Sequence, residues 1–330
     1  MRSPVSGSHA LFLRRDRSEL VTPIPADYAD AVERSAFTLP SFAKINLHLK
    51  IVGKRDDVYH ELCTVFQTVS LHDEVHFERA ERLSLTCDIA SVPTNDQNLI
   101  MKAARALQKR SGISMGARLR LVKRVPTPGG LGGGSSNAAI ALLGLVRLWG
   151  IRIYSTDLHE LAAEIGSDVP FFLCGGTALG LGRGTEIVPL PGRREKYLLI
   201  VTPHVTVSTA EVFSRVNAHN LTSVDSNRIL QICRFKAQLS DLRNVELIND
   251  LEAATFRDHP EVAEAKQVLL RLGARQALMS GSGASVFGIF DKEETRRAAM
   301  KALDERVNWR RFAVATISRK DYREALRLVL

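Results

Sequence analysis

Cysteine is scarce in this chain of 330 residues: Cys63, Cys87, Cys174 and Cys233 are all there is, widely spaced and without a C-x-x-C pair. That excludes a disulfide framework or a sulfur-ligated zinc module. It leaves the thiols as small apolar packing residues of a reduced, cytoplasmic compartment. Long apolar runs are missing too. The longest, Ala138 to Val146, ends at Arg147 and falls well short of the roughly 18–20 residues that span a bilayer, so no membrane partner is expected. A dense basic block is absent although the formal net charge is +9. Cations scattered among acids describe a solvated surface with some steering of anionic ligands. No repeat of fixed period occurs. There is no G-x-x-x-x-G-K-[ST], and no G-x-G-x-x-G in a strand-turn-helix setting with a downstream acid, so neither a P-loop nor a dinucleotide fold is indicated.

What is present is one unusual loop, Pro126-Thr127-Pro128-Gly129-Gly130-Leu131-Gly132-Gly133-Gly134-Ser135-Ser136, followed at once by an apolar helical run from Asn137 to Leu148. Glycines remove the Cβ atoms that keep a polyanion away from backbone N–H groups, and a helix that follows presents unpaired first-turn donors and its positive dipole end. The loop therefore reads as a phosphate cradle. Ser135 and Ser136 are expected to cap the helix and to offer hydroxyls to phosphate or to a metal ion.

Around this loop the chain divides in three. Residues 1–38 lack a clear period and read as an extension, disordered or loosely docked. From Ala43 the alternation becomes strict, with Ala43, Ile45, Leu47, Leu49 and Ile51 apolar and Lys44, Asn46, His48 and Lys50 polar. This predicts a half-buried strand with Lys44, Asn46 and His48 on one face. Strand patterns follow at Cys63–Phe77, Leu83–Ile89 and Ala117–Val122, with helical spacing at Asn98–Lys109 and a helix after Ser155 as its cap. Gly175 to Gly184 reads as hairpin and turn rather than as a second phosphate site. Pro189 to Arg194 reads as the linker between an N-terminal domain of residues 39–192 and a C-terminal domain of residues 193–330. The latter is expected to hold strands at Tyr197–Thr202, Ala277–Met279, Ala284–Phe290 and Phe312–Ile317 and helices near Thr209–Val216, Ile229–Leu242, Glu261–Leu272 and Glu293–Leu303. Segregated helices and antiparallel strands make this an α+β protein of two domains.

Three features point past binding to transfer chemistry. Lys44 lies in mid-strand beside Asn46; Asp168 stands between a helix end and the apolar run Val169-Pro170-Phe171-Phe172; and Ser280-Gly281-Ser282-Gly283 is a second loop of small residues able to approach a ligand.

The segments Pro40 to Leu49, Pro126 to Ala139 and Met279 to Phe287, in this order, resemble the three signatures of the galactokinase, homoserine kinase, mevalonate kinase and phosphomevalonate kinase superfamily. Gly53-Lys54-Arg55 with Tyr59-His60-Glu61-Leu62, and Gly166-Ser167-Asp168-Val169-Pro170, are similar to its branch in the non-mevalonate isoprenoid pathway. That branch phosphorylates the 2-hydroxyl of a cytidine-diphosphate-linked methylerythritol. The resemblance runs from about Leu39 to the C-terminal region. It implies a ribosomal protein S5 domain 2-like N-terminal domain, a ferredoxin-like C-terminal domain and an active site in the cleft between them. It implies ATP as phosphate donor with Mg²⁺, its ligands unassigned, Asp168 as general base and Lys44 as its cationic neighbour. Pro126 to Ser136 would hold the triphosphate, with Asn98 and Lys123 near the adenine. Asn46 and Thr209 would contact the substrate, and Tyr59, His60 and Phe213 would form the cytidine pocket, aromatic faces sandwiching the base while His60 and nearby backbone read its polar edge. Val58 stands where this family typically has glycine, and Asn137 where some members carry aspartate. The competing expectations are another small-molecule kinase of the superfamily, or a nucleic-acid-binding protein suggested by the S5-like topology and the net charge.

Overall fold

The computed structural model describes residues 20–21, 36–54, 59–192, 194–216 and 247–327. The helix expected at Ile229–Leu242, Cys233, the turn at Val58 and most of the N-terminal extension lie outside the described residues.

The chain runs through β1 (Leu20–Val21), β2 (Ala36–Lys54), β3 (His60–Ala80), β4 (Ser84–Cys87), α1 (Leu99–Ser111) and β5 (Gly116–Val122), then α2 (Gly133–Trp149), β6 (Ile153–Tyr154), α3 (Ser155–Ile165) and α4 (Val169–Cys174). The hairpin β7 (Thr177–Gly182) and β8 (Glu186–Pro189) follows, then β9 (Leu198–Pro203), α5 (Thr209–Arg215) and β10 (Ile248–Asn249). The described chain closes with α6 (Glu252–Asp258), α7 (Pro260–Arg271), β11 (Gln276–Met279), β12 (Val286–Ile289), α8 (Glu293–Ala302), β13 (Trp309–Val314) and α9 (Arg319–Ala325).

Two sheets carry the molecule. The larger has the order β10-β2-β3-β5-β4, and β3 also pairs with β7, so the long β3 serves β7 with its first half and β5 with its second. The smaller is β11-β12-β9-β13, antiparallel throughout. Helices α1 to α4 and the larger sheet enclose one core. A second core lies between the sheets, where Ala43, Ile45 and Leu47 meet Leu198, Ile200 and Phe287. A third joins the outer face of the small sheet to α7 and α8. Alternate residues of β9 enter different cores, Leu198 and Ile200 one and Leu199 and Val201 the other. That double burial is why its sequence is continuously apolar rather than alternating.

Local signals explain the elements that frame the glycine loop. Asn98 caps α1, its side chain accepting from the Ile100 N–H, and Gly112 ends the helix in the left-handed conformation. Helix α2 is apolar on nearly every side because it is buried along almost its whole length. Gly144 lets it lie directly on β3, since a Cβ there would stand 2.2 Å from the Phe77 ring.

Three expectations are corrected. First, the alternation in β2 does not hold a single face. Asn46 pairs with Phe66 but His48 with Val65, so one extra residue of β2 is bulged there. Residues before the bulge keep Lys44 and Asn46 toward the glycine loop; beyond it Leu49, not His48, continues that side. Second, the boundary of the extension is too late. Ala36, Phe37 and Thr38 already pair with Glu78, Phe77 and His76, and Leu20–Val21 pairs with Tyr154–Ile153. Third, α3 starts on Ser155 itself, with Tyr154 in the cap position.

The last helix crosses back to the first half of the chain. Tyr322 of α9 is wholly buried, donates its hydroxyl to the Phe172 carbonyl at 2.6 Å and packs its ring 5.6 Å from that of Phe42. Gly175 makes room for it, as a Cβ there would lie 2.2 Å from the tyrosine ring. Tyr322→Ala is expected to cost about 4 kcal/mol of stability through the cavity it leaves. Tyr322→Phe, which removes the hydroxyl alone, is expected to cost about 1 kcal/mol. Denaturant midpoints of the two variants measure both, and equal losses would show that ring packing contributes nothing.

Candidate active site

The glycine loop is held open by its neighbours rather than by its own side chains. The Gly130 carbonyl accepts from Lys44 Nζ at 3.0 Å and from Ser280 Oγ at 2.9 Å, and the Leu131 carbonyl accepts from the Lys44 N–H at 2.9 Å. Ser285 donates its N–H to the Gly129 carbonyl at 3.2 Å. Gly130 has φ +68°, and a Cβ on it would stand 2.0 Å from the Ser280 carbonyl oxygen. The loop therefore docks on β2 and on the Ser280–Gly283 loop at one point that only glycine allows.

Helix α2 begins earlier than the sequence pattern suggests. Its cap is Gly132, with no side-chain cap bond, and Ser135 and Ser136 lie in its first turn. The expected serine cap is corrected accordingly, and the uncapped first turn, Gly133 to Ser135, lines the cleft instead. Ser136 is turned inward: it is fully buried and accepts from Ser41 Oγ at 2.8 Å, so it is not a phosphate contact.

Lys44 is 3% exposed, and its ammonium is fully engaged. It donates to Asn46 Oδ1 at 2.7 Å and to the Gly130 carbonyl, and faces Asp168 Oδ2 at 3.4 Å. Asn46 is oriented in turn by donating to Thr64 Oγ1 at 2.8 Å, which donates to the His48 carbonyl at 2.8 Å. The half-exposed strand face expected here is thus a sealed polar row under the loop. Asp168 occupies the turn between α3 and α4, closed by the Val169 N–H on the Gly166 carbonyl at 3.1 Å. Pro170 in the first turn of α4 brings a preset φ, and buried Phe171 and Phe172 anchor the helix. The backbone of Asp168 is therefore rigid, while its carboxylate, a third exposed, opens on the cleft between Lys44 and the loop.

Glycine loop, Lys44, Asn46, Asp168, Tyr59, His60, Thr209 and Phe213 surround one cleft of about 1040 Å³. Thr209 Oγ1 and Ser282 Oγ are 2.8 Å apart, which ties α5 to the Ser280–Gly283 loop. The rings of His60 and Phe213 are in contact, with centroids 5.4 Å apart. Burial, reinforced by the nearby Lys54 cation, lowers the pKa of His60 from its ordinary value and so favours the neutral ring.

Two residues assigned to the adenine end are turned away from the cleft. Asn98 spends its side chain on the α1 cap and on the Pro93 carbonyl at 2.7 Å, and its neighbour Leu99 lines the cleft. Lys123 is buried in an ion pair with Asp73 at 2.5 Å, beneath Gly133. Two cations that line the cleft escaped sequence reasoning, Lys54 and Arg183. The guanidinium of Arg183 lies 4.8 Å from the Tyr59 ring centroid. Its signal was a cation between two glycines at the tip of the β7–β8 hairpin. The tract is the turn its sequence predicts, and that turn carries a charge to the cleft.

A glycine cradle facing a fixed Lys–Asp pair is an arrangement for moving a phosphoryl group to a hydroxyl, and the relatives of this chain agree. Residues 98–176 match the GHMP kinases N terminal domain and residues 235–308 the GHMP kinases C terminal domain. The 4-diphosphocytidyl-2-C-methyl-D-erythritol kinase of Syntrophotalea carbinolica is 40% identical over 84% of this chain and 97% of its own length. That of Moorella thermoacetica is 41% identical over 81% and 95%. A crystal structure of 4-(cytidine 5'-diphospho)-2C-methyl-D-erythritol kinase superposes with a TM-score of 0.69 at 33% identity, covering 85% of this chain and 99% of the other. A homoserine kinase from Cytophaga hutchinsonii, at 21% identity and a TM-score of 0.64 over 87% of this chain and 96% of its own, shares the fold. Identity at this level over most of both chains places the protein, an ATP-dependent small-molecule kinase, in the 4-diphosphocytidyl-2-C-methyl-D-erythritol kinase family of the GHMP kinases.

Proposed function

We propose that this chain transfers the γ-phosphoryl group of ATP to the 2-hydroxyl of 4-diphosphocytidyl-2-C-methyl-D-erythritol, a step of non-mevalonate isoprenoid synthesis in the cytoplasm. The observation that carries this is the Lys44–Asp168 pair, 3.4 Å apart, opening beside the glycine loop. Asp168 accepts the hydroxyl proton; the freed oxygen forms the new bond to the γ-phosphorus as the bond to the bridging oxygen breaks, and ADP leaves. Lys44 sets a positive charge beside the base and the reacting oxygen. The amides of the loop and of the first turn of α2 hold the phosphates in line, and positioning of this kind supplies most of the catalysis in phosphoryl transfer.

The oxygen donors beside the loop suit a magnesium ion, which characteristically takes one or two protein oxygens and completes its shell with phosphates and water. Ser135 lines the cleft there and would hold it, whereas Asp73 is occupied by four donors. Bound with ATP, the ion neutralises charge on the phosphates. Asn137 donates its amide to Ser41 and Asp73 and takes no part.

The cytidylyl end of the substrate falls to Tyr59, His60, Thr209 and Phe213, with the cytosine stacked on aromatic faces, His60 at its polar edge, and Lys54 and Arg183 near its diphosphate. Two domains of residues 39–192 and 193–330, S5 domain 2-like and ferredoxin-like, are part of the same reading. A buried lysine paired with a cleft-facing carboxylate beside a phosphate cradle has no use in gripping a nucleic acid backbone, which favours the kinase over the nucleic-acid alternative.

Phosphate transfer from ATP with Mg²⁺ to the cytidylyl substrate, with homoserine and mevalonate as controls, tests the reading. Selective transfer to the first supports it. ATP turnover confined to a control acceptor overturns the substrate assignment. A pH series tests the pocket. Because the His60 shift is downward, the neutral ring persists to lower pH than in an unperturbed histidine and is lost on further acidification. KM for the cytidylyl substrate is therefore expected to be flat near neutral pH and to rise on acidification, later than an unperturbed histidine would give. His60→Gln should flatten that rise, and an unchanged profile would remove His60 from the pocket.

A further inference from the structure

Asp73 is completely buried yet lies outside the cleft. It sits on β3 directly opposite Ser41 of β2, three residues before Lys44. Its Oδ1 accepts from the backbone N–H of Arg124 at 2.7 Å and of Val125 at 2.8 Å, the two residues that lead into the glycine loop. Its Oδ2 accepts from Lys123 Nζ at 2.5 Å and from Asn137 Nδ2 at 2.9 Å, where the chain leaves the loop in α2. Asn137 Nδ2 also donates to Ser41 Oγ at 2.8 Å, and Ser41 Oγ donates to Ser136 Oγ at 2.8 Å.

One buried carboxylate therefore grips both ends of a loop that has few side chains of its own. Eleven residues from Pro126 to Ser136 separate the grips, and five of them are glycine. Such a segment has many backbone conformations unless its ends are held. We propose that Asp73 is a positioning residue that sets the glycine loop for ATP. It pins the loop's entry and exit to the strand pair that carries Lys44, so that phosphate cradle and catalytic pair share one reference frame. The proposal rests on the loop being the ATP cradle. It also explains the asparagine at 137: its amide is a donor that a carboxylate could not supply to Asp73.

The test compares Asp73→Asn with the double exchange D73N/N137D. In the single variant two amides and the Lys123 ammonium face one another without a carboxylate. The loop loses its anchor, so KM for ATP is expected to rise about tenfold or more while KM for the alcohol substrate stays within about twofold. The double variant swaps amide and carboxylate across the same contact. The amide oxygen placed at position 73 can still accept from the two backbone N–H groups. The carboxylate placed at position 137 can accept from that amide, from Lys123 and from a reversed Ser41 hydroxyl, and KM for ATP is expected to return to within about threefold of wild type. A folded Asp73→Asn with unaltered KM for ATP overturns the proposal. So does a loss shared equally by both substrates, or a folded double variant with no recovery. If the single variant fails to fold, the double decides by the same criterion. Failure of both to fold makes the role structural and overturns positioning. Calorimetric titration of the wild type with ATP separates the two readings. No binding there sinks the ATP cradle and this proposal with it, whereas binding with unchanged affinity in Asp73→Asn overturns the role of Asp73 alone.

Discussion

Asp168→Asn is expected to lower kcat by about 1,000-fold or more, within the range that general bases contribute, while ATP affinity stays within a few-fold of wild type. The amide has the size of the carboxylate but cannot take up a proton, and the rigid turn between α3 and α4 gives the site no second base to bring in. ATP is held by the glycine loop, whose contacts to Lys44, Ser280 and Ser285 do not pass through Asp168. Stability should change little, because the Asp168 side chain is a third exposed and its contact with Lys44 is screened by water. Single-turnover kinetics with calorimetric ATP binding checks both halves. Turnover near the wild-type rate would remove Asp168 as the base. Loss of ATP binding alongside turnover would recast it as part of the nucleotide site.

Gly130→Ala is the second large effect. The added methyl would stand 2.0 Å from the Ser280 carbonyl oxygen, which is backbone and cannot swing aside, and φ at +68° is left-handed. The Gly130 carbonyl is also the acceptor shared by Lys44 and Ser280. Relief of the clash must therefore move the loop away from the second loop and pull the acceptor off the Lys44 ammonium. Misplacement by about 1 Å costs on the order of 100-fold, and that loss is expected in kcat/KM for ATP. Gly112→Ala is the control. It has the same φ of +68° but nothing within 4 Å of the added Cβ, and it ends α1 away from the cleft. It should lose about 1 kcal/mol in a thermal melt from the left-handed strain alone and keep wild-type kinetics. Equal kinetic losses in the two variants would show that backbone strain, not the meeting of the two loops, governs the site.

The site was legible where chemistry is written in adjacent residues. Glycines in a row before a helix, an aspartate before Val169-Pro170-Phe171-Phe172, and a lysine two places from an asparagine in a strand each carry local information, because backbone freedom, helix starts and strand periodicity depend on neighbours in the chain. For Asn98, Lys123 and Ser136 the neighbouring residues do not reveal the internal partner. Each has a side chain suited to a nucleotide, and each is spent on an internal partner: the α1 cap, Asp73 and Ser41. Arg183 was missed because a hairpin tip has no pattern that tells which way it points.

By itself the sequence determined the α+β class, the glycine-rich loop with its helix and the kinase family, and it singled out Lys44 and Asp168, all of which rest on periodicity and on motifs read within a few residues. Tertiary structure alone decided which polar groups face the cleft. The bulge after Asn46 hands the next place on the cleft side to Leu49 instead of His48, Asp73 ties together residues up to 64 apart in the chain, and Tyr322 brings the last helix onto the segment that carries Asp168. The physical reason is that register, burial and the partner of a buried polar group are settled by contacts between distant segments. No local pattern contains both sides of such a contact.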